Sequence, residues 1–184
     1  MSYVIAASCY VREAMMRGWV PIPGSAQHRL LESAHQLFEQ YGYELASVTE
    51  IAANAGVTTG ALYHHFGSKL GLYALLREDL EKRIDERMQG ALAVGGRSRR
   101  SAIGALRTGL DAAVHFRCCR ILGEAHPAGA DDRFATTIAT VLPEVRRAAS
   151  TIMVAAWRAA LLAIADGRSA DAARRALTYA LGER

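Results

Sequence analysis

Apolar residues recur at every third or fourth position through most of the chain after residue 25, which is the spacing of amphipathic helices. The first such stretch contains Leu30, Leu31, Ala34, Leu37, Phe38 and Tyr41. Ser25 precedes this stretch as an N-cap residue, and Gly42 supplies the backbone freedom on which helices commonly end. No segment alternates strictly between apolar and polar residues. The pattern therefore predicts an all-helical chain.

Two short helices are predicted next. Ser47-Val48-Thr49-Glu50 has the form of a capping box, in which the Ser47 hydroxyl accepts the Glu50 amide proton. Gly56 ends this second helix. The third helix is predicted from about Thr59 to His65, with Thr58 as its cap.

Longer helices follow as far as the end of the chain. Ser68 caps a helix from Lys69 to about Ala93, and Ser169 caps a last helix that ends at Leu181. Between them the pattern predicts one helix over residues 101–123, a short helix that ends at Leu142, and a helix opened by Pro143 that ends at Asp166.

Composition narrows the class of protein. The chain has 184 residues, of which 51% are apolar and 22% charged, so it can bury a core. Its net charge of +4 favours an anionic partner. No uncharged apolar run reaches the length of a membrane span. Three cysteines, Cys9, Cys118 and Cys119, make no disulfide framework, so we expect a reducing cytoplasm.

Enzyme signatures are absent from the sequence. There is no glycine-rich phosphate loop followed by Lys-Ser or Lys-Thr, no nucleophile elbow and no paired-histidine zinc motif. We therefore expect neither catalysis nor a cofactor nor a resident metal.

The two short helices form a candidate helix-turn-helix. Ala52 is small enough for the helices to approach closely, and Gly56 allows the left-handed backbone that the turn needs. Ile51 and Leu62 supply apolar contacts across the turn. In this arrangement the second helix of the pair enters the major groove of DNA.

Here the chain resembles the TetR family of bacterial transcriptional regulators, from about His28 to Leu76. The resemblance is carried by the run Thr49-x-x-Ala52-x-x-Ala55-Gly56-Val57-x-x-Gly60-x-Leu62-Tyr63-x-His65-Phe66-x-x-Lys69. It implies an all-α dimer with an N-terminal three-helix DNA-binding domain and a C-terminal ligand-binding and dimerisation domain. The corresponding bounds are residues 1–24 for a flexible leader, 25–69 for DNA binding and 70–184 for the rest.

The resemblance also implies a function. Members of the family typically repress transcription from a palindromic operator and release it when a small molecule binds. The positions expected to contact DNA are Ser47, Thr49, Thr58, Thr59, Gly60, Ala61, Tyr63, His64 and Lys69. Their hydroxyls and amides suit phosphate oxygens, and threonine methyls suit thymine.

Charge argues against a strongly basic DNA-binding domain. Arg29 and Lys69 are the fixed cations between residues 25 and 69, where four glutamates also lie. We therefore expect a shallow salt dependence of DNA binding. The alternative is a regulator-like protein that has lost DNA binding.

The C-terminal half is expected to hold the effector and the dimer contact. The last two helices are rich in alanine, so their close packing with a second copy predicts a homodimer. Candidate ligand contacts lie on the middle helices: Phe116, Cys119, Leu122, Phe134, Met153 and Trp157. An ordinary apolar core explains the same pattern.

One further alternative concerns Asp111, His115, Cys118 and Cys119. On one continuous helix these residues share a face, and His115, Cys118 and Cys119 have the spacing of a metal or thiol-redox sensor.

Overall fold

The computed structural model describes residues 22–129, 132–143 and 148–182. In these ranges it contains nine helices and no strand, which confirms the predicted all-α class. The helices are α1 Ala26–Leu45, α2 Val48–Asn54, α3 Thr59–Phe66, α4 Lys69–Gly95, α5 Arg99–His115, α6 Cys119–Gly123, α7 Arg133–Ala139, α8 Ala149–Ala165 and α9 Ala170–Ala180. No helix in these ranges has both the length and the apolarity to cross a bilayer.

The chain divides into two compact units between Glu78 and Asp79. Helix α4 contains residues of both, because it runs without interruption from Lys69 to Gly95. The domain bounds at residues 25–69 and 70–184 stay a prediction from the sequence. The predicted leader lies outside the described residues, apart from its last three positions.

The N-terminal unit is built on the apolar stripe of α1. Leu30, Ala34 and Phe38 are fully buried, as the helical spacing predicts. Ser25 caps the helix by accepting the His28 amide at 3.2 Å. Gly42 breaks it with φ of 81°, so the helix turns at the expected residue.

An aromatic cluster joins α1 to the start of α4. The ring of Phe38 meets Tyr73 edge-on at 4.9 Å, and Tyr43 lies 4.9 Å from Tyr73. Such tilted contacts stabilise beyond the area they bury. The first turns of α4 are thereby fixed within this unit.

The C-terminal unit has α8 at its centre. This helix packs against α5, α6, α7 and α9. Its fully buried Trp157 meets Phe134 of α7 edge-on at 4.9 Å. Leu122 of α6 and Leu161 of α8 are also fully buried.

The prediction of one helix over residues 101–123 is wrong. Helix α5 ends at His115, and α6 begins at Cys119. Between them Arg117 adopts a left-handed φ of 52°, and the Cys118 amide returns to the Ala113 carbonyl at 3.0 Å.

This break removes the basis for the sensor hypothesis. Cys118 and Cys119 turn into the core, whereas His115 stays exposed against the ring of Phe116. Asp111 forms an ion pair with Arg174. Across the described residues, no three histidine, cysteine or acidic side chains are placed to bind a metal.

The boundaries of two later helices also differ from the prediction. Helix α7 ends at Ala139 rather than Leu142, because the chain continues there as a turn. Helix α8 ends at Ala165 as expected, but its predicted opening at Pro143 precedes residues 144–147, which lie outside the described ranges.

Candidate nucleic-acid interface

A tight turn sets the angle between α2 and α3. The Gly56 amide donates to the Ala53 carbonyl and the Val57 amide to that of Ala52, both at 3.0 Å. Gly56 has φ of 63°, a conformation that L-residues with a side chain rarely adopt. A Cβ at Gly56 would touch nothing within 4 Å, so backbone conformation rather than space requires glycine here.

The start of α3 is held by its cap and by one buried residue. Thr58 has extended backbone, and its hydroxyl accepts the Ala61 amide at 3.2 Å. Leu62 is fully buried and anchors the helix to the unit. The predicted cap at Thr58 is therefore confirmed.

The opposite side of α3 faces outward. We call Thr59, Gly60, Tyr63 and His64 the α3 face: Gly60, Tyr63 and His64 are exposed, Tyr63 by 51%, and Thr59 is half-buried. Its groups are a hydroxyl, a bare backbone, a phenol and an imidazole. These groups can donate hydrogen bonds to phosphates or to base edges without a fixed charge.

No contact within the protein requires a glycine at position 60. A Cβ there would lie 3.6 Å from the Thr58 hydroxyl, which is an ordinary contact, and its φ is not left-handed. Glycine costs about 1 kcal/mol relative to alanine inside a helix. An outside surface that approaches the backbone closely would account for this residue.

The capping box predicted at Ser47 does not form. Ser47 has extended backbone at the start of α2, and its carbonyl accepts the Ile51 amide at 2.9 Å, but its side chain makes no capping hydrogen bond. Glu50 is exposed. The half-buried Ser47 hydroxyl and the exposed Thr49 therefore lie at the start of α2 without a capping role.

Lys69 has partners within its own unit. Its ammonium donates to the Glu44 carbonyl at 3.1 Å and lies 4.6 Å from the centre of the Tyr43 ring. Burial, and secondarily the charge of Glu44, raises the pKa of the Tyr43 phenol above its usual range. An ammonium has three N–H donors, so the Glu44 contact leaves Lys69 with capacity for a phosphate.

Arg29 has a role that the sequence analysis missed. Its guanidinium donates to the Ala55 carbonyl at 2.9 Å and to the Gly24 carbonyl at 2.7 Å. It thus binds the carbonyl end of α2, where the helix dipole favours a cation. The partner lies 26 residues away, so no local pattern reveals the contact.

The sequence of this region also matches a known family. The model described as bacterial regulatory proteins, tetR family, matches residues 30–76, which include α2, the turn and α3. Residues 30–76 therefore match the DNA-binding region of the TetR family.

Known proteins are similar to this chain over part of its length. The HTH-type transcriptional repressor AcnR of Corynebacterium glutamicum is 41% identical over 58 residues, 31% of each chain. The HTH-type transcriptional repressor Rv1474c of Mycobacterium tuberculosis is 35% identical over 91 residues, 49% of this chain and 43% of its own. The chain thus spans between about a third and less than half of these curated relatives.

The structural likeness extends further along the chain. A TetR-family transcriptional regulator from Pectobacterium atrosepticum aligns with a TM-score of 0.62 and 25% identity, over 84% of this chain and 89% of its own. Helices of the C-terminal unit therefore lie within the compared region.

The predicted effector contacts lie mostly in the core. Cys119, Leu122, Phe134, Met153 and Trp157 are all buried, and Phe134 and Trp157 touch. The half-buried ring of Phe116 lies instead against His115 and below the Arg87 guanidinium, at 5.6 Å.

One polar group stands out among these apolar residues. The indole Nε1 of Trp157 is buried and has no hydrogen-bond partner among the described residues. Leaving a buried donor unpaired costs about 1–3 kcal/mol.

Proposed function

We propose that this chain is a dimeric transcriptional repressor of the TetR family, which binds a palindromic operator through the α3 face and releases it when a small molecule binds. The observation that carries the proposal is the α3 face itself. It is exposed and uncharged, and it is positioned by the Gly56 turn and the buried Leu62. The tetR family model matches residues 30–76, which include this face, and relatives that match 58 and 91 residues of the chain are named transcriptional repressors.

We propose that each residue predicted from the sequence to contact DNA does so. In the proposal, the start of α3 and the hydroxyls of Thr58 and Thr59 donate to phosphates, while Tyr63 and His64 reach sugar or base edges. Ser47, Thr49 and Lys69 bind flanking phosphates. The half-buried Ala61 lies beside Gly60 and allows close approach.

The direct test is fluorescence anisotropy on labelled DNA from the upstream region of the chain's own gene. We expect saturable binding that unlabelled scrambled DNA does not compete away. Tyr63→Phe serves as a matched variant, because it keeps the ring and removes only the hydroxyl. Equal affinity for upstream and scrambled DNA would contradict an operator in that region.

The dimer is proposed to form through α8 and α9. Each helix has small or apolar residues on its exposed side: Ile152, Ala155 and Ala159 on α8, and Ala176, Tyr179 and Ala180 on α9. Ile152 is 72% exposed and Tyr179 is 86% exposed. Apolar side chains grouped in this way typically mark an interface.

The dimer is tested by the molar mass of the protein in solution. We expect the wild type to be a dimer and Ala159→Glu to be a monomer, because each buried glutamate would lose its hydration. Thr136→Glu serves as the matched control, since it introduces the same charge at an exposed position of α7, outside the proposed interface. A dimer that survives Ala159→Glu would contradict this interface.

We propose that the effector binds among Phe116, Cys119, Leu122, Phe134, Met153 and Trp157, in a conformation that opens the core. The unpaired Trp157 N–H supports an effector that carries a hydrogen-bond acceptor. No catalytic activity is expected, and the place of action is the cytoplasm, where the operator is.

A further inference from the structure

Histidines are concentrated in the region that carries the α3 face. The chain has six histidines, and four of them lie between residues 25 and 69: His28, His35, His64 and His65. Two fixed cations and four glutamates give this region a formal charge of −2 while its histidines are neutral. Protonation of all four would change that charge to +2. Because imidazole is the side chain that ordinarily titrates between about pH 5 and pH 8, the pH controls the sign of the charge here.

Three of these four histidines have partners inside the protein. His28 Nδ1 lies 3.3 Å from a carboxylate oxygen of Glu32, one turn further along α1. His35 is half-buried on the same helix and likewise has an interaction partner. The ring of His65 is half-buried and meets that of Phe66, with 6.1 Å between their centroids. Interactions within the protein therefore already engage these three side chains.

His64 is the exposed histidine of the region, and it lies on the α3 face. Its ring centroid is 5.3 Å from that of His65, and among the described residues its nitrogens form no hydrogen bond and no ion pair. Helix α3 packs on α1 and α2 and is followed by α4. The titratable or charged side chains on α1, on α2 and at the start of α4 are His28, Arg29, Glu32, His35, Glu39, Tyr41, Tyr43, Glu44, Glu50 and Lys69. Since none of them pairs with His64, both of its nitrogens are available to an outside ligand.

Protonation changes what His64 offers to DNA. A neutral imidazole has one N–H donor and one acceptor nitrogen, whereas an imidazolium has two donors and a positive charge. Phosphate oxygens, and the O6 and N7 atoms of guanine, only accept hydrogen bonds. The acceptor nitrogen of a neutral His64 therefore gains nothing from them. A protonated His64 can donate from both nitrogens, and it supplies the one positive charge of the α3 face.

We propose that operator binding by this chain is linked to protonation of His64, so that a fall from about pH 8 to about pH 6 strengthens binding. The inference rests on the proposed function. The negative charge of the operator favours the protonated imidazole, so each protomer binds this proton more readily in the complex than alone. By linkage, the affinity is highest at low pH, where His64 is protonated before it meets DNA, and falls as the pH rises.

The test is anisotropy of the full-length chain on labelled DNA from the upstream region of its own gene, at pH 6 and at pH 8. We expect the wild type to bind about tenfold more tightly at pH 6, which is in the usual range of coupling between two ligands, here a proton and DNA. The slope of log K against log salt should also become steeper by about 2 at pH 6, because a dimer then has two more cations at phosphates.

Three glutamine variants assign the effect to one histidine. His64→Gln keeps an N–H donor that does not titrate, so its affinity should be nearly the same at pH 6 and at pH 8. His115→Gln is the matched control, because His115 is also exposed and also lies against a neighbouring ring, that of Phe116, but belongs to the C-terminal unit. It should keep the tenfold change of the wild type, and so should His28→Gln. If His28→Gln loses as much of the pH dependence as His64→Gln does, the overall charge of the region is responsible and the proposal is overturned.

Calorimetry counts the protons directly. Titration of the same DNA at pH 7, in two buffers of different ionisation enthalpy, should show that the wild-type dimer takes up as many as two protons more than His64→Gln does. Equal proton uptake, or an equal pH dependence of specific binding in the two proteins, would overturn this inference and leave operator recognition standing. Equal affinity of the wild type for upstream and scrambled DNA at both pH values would overturn the proposed function and this inference together.

Discussion

Cations are used differently in the two units. In the N-terminal unit, Arg29 and Lys69 donate to backbone carbonyls at helix ends. In the C-terminal unit, Arg99, Arg120 and Arg158 also donate to carbonyls, but three arginines have aspartate partners on other helices or loops: Arg120 with Asp166, Arg158 with Asp132, and Arg174 with Asp111. A carbonyl orients a cation without neutralising it, whereas a carboxylate cancels its charge.

In the proposed function, this difference leaves the few cations of the N-terminal unit available to phosphates. Arg29 and Lys69 keep their positive charge in the N-terminal unit and also fix the ends of α1 and α2. In the C-terminal unit, Arg120, Arg158 and Arg174 form ion pairs that hold helices together. Substitutions of the carbonyl-bound cations and of the aspartate-paired arginines should therefore differ in their effects on stability and on operator binding.

The largest effect on stability is expected from Arg158→Met. The side chain is 18% exposed, and its guanidinium bonds to both Asp132 and the Leu122 carbonyl. Its loss removes the cation from the Asp132 carboxylate, which is 31% exposed and keeps the Phe134 and Ala135 amides, and we expect about 2 kcal/mol of destabilisation. Denaturant unfolding measures this, with Asp132→Asn added as a second change that should recover part of the loss.

Arg29→Met should have the next largest effect on stability. It removes the hydrogen bonds to the Ala55 and Gly24 carbonyls and frees the end of α2, at a cost of about 1.5 kcal/mol. Operator affinity should also fall, because the turn into α3 is loosened and a charge is lost. Wild-type stability in this variant would show that the cap is unimportant.

Tyr63→Ala should change binding rather than folding. The side chain is half-exposed, so the melting temperature should stay near that of the wild type. We expect operator affinity to fall about tenfold, or about 1.4 kcal/mol. Anisotropy and thermal unfolding on the same sample separate the two effects, and a fall in both would place the ring in the core.

Arg174→Met should have the smallest effect. Its bonds to Asp111 and Asp171 lie at the surface, with Asp111 53% exposed, and exposed pairs contribute at most about 1 kcal/mol. Unfolding in low and high salt is the measurement. A loss of stability as large as that of Arg158→Met would show that the exposure of an ion pair does not determine its contribution to stability.

The parts predicted correctly from the sequence depend on local chemistry. The caps at Ser25, Thr58, Ser68 and Ser169 all accept the amide three residues later, because capping involves only neighbours in the chain. The turn at Gly56 could be predicted for the same reason, because it also involves only neighbours in the chain.

The parts that were missed depend on distant contacts. No glycine or proline marks the break at Arg117, which arises as Cys118 and Cys119 enter the core. The carbonyl partners of Arg29 and Lys69 and the bond between Asp85 and Thr137 join residues 25 to 52 positions apart. Ser47 is a residue type that favours capping, but its side chain makes no capping hydrogen bond.

The most direct test of the DNA-binding account is the salt dependence of operator binding by the wild type. With Arg29 and Lys69 as the fixed cations between residues 25 and 69 of each protomer, a dimer neutralises about four phosphates, so log K should fall with log salt at a slope of about −4 or shallower. Binding should also stay specific against scrambled DNA across that range. A slope near −8, or equal affinity for scrambled DNA, would contradict recognition by an uncharged α3 face.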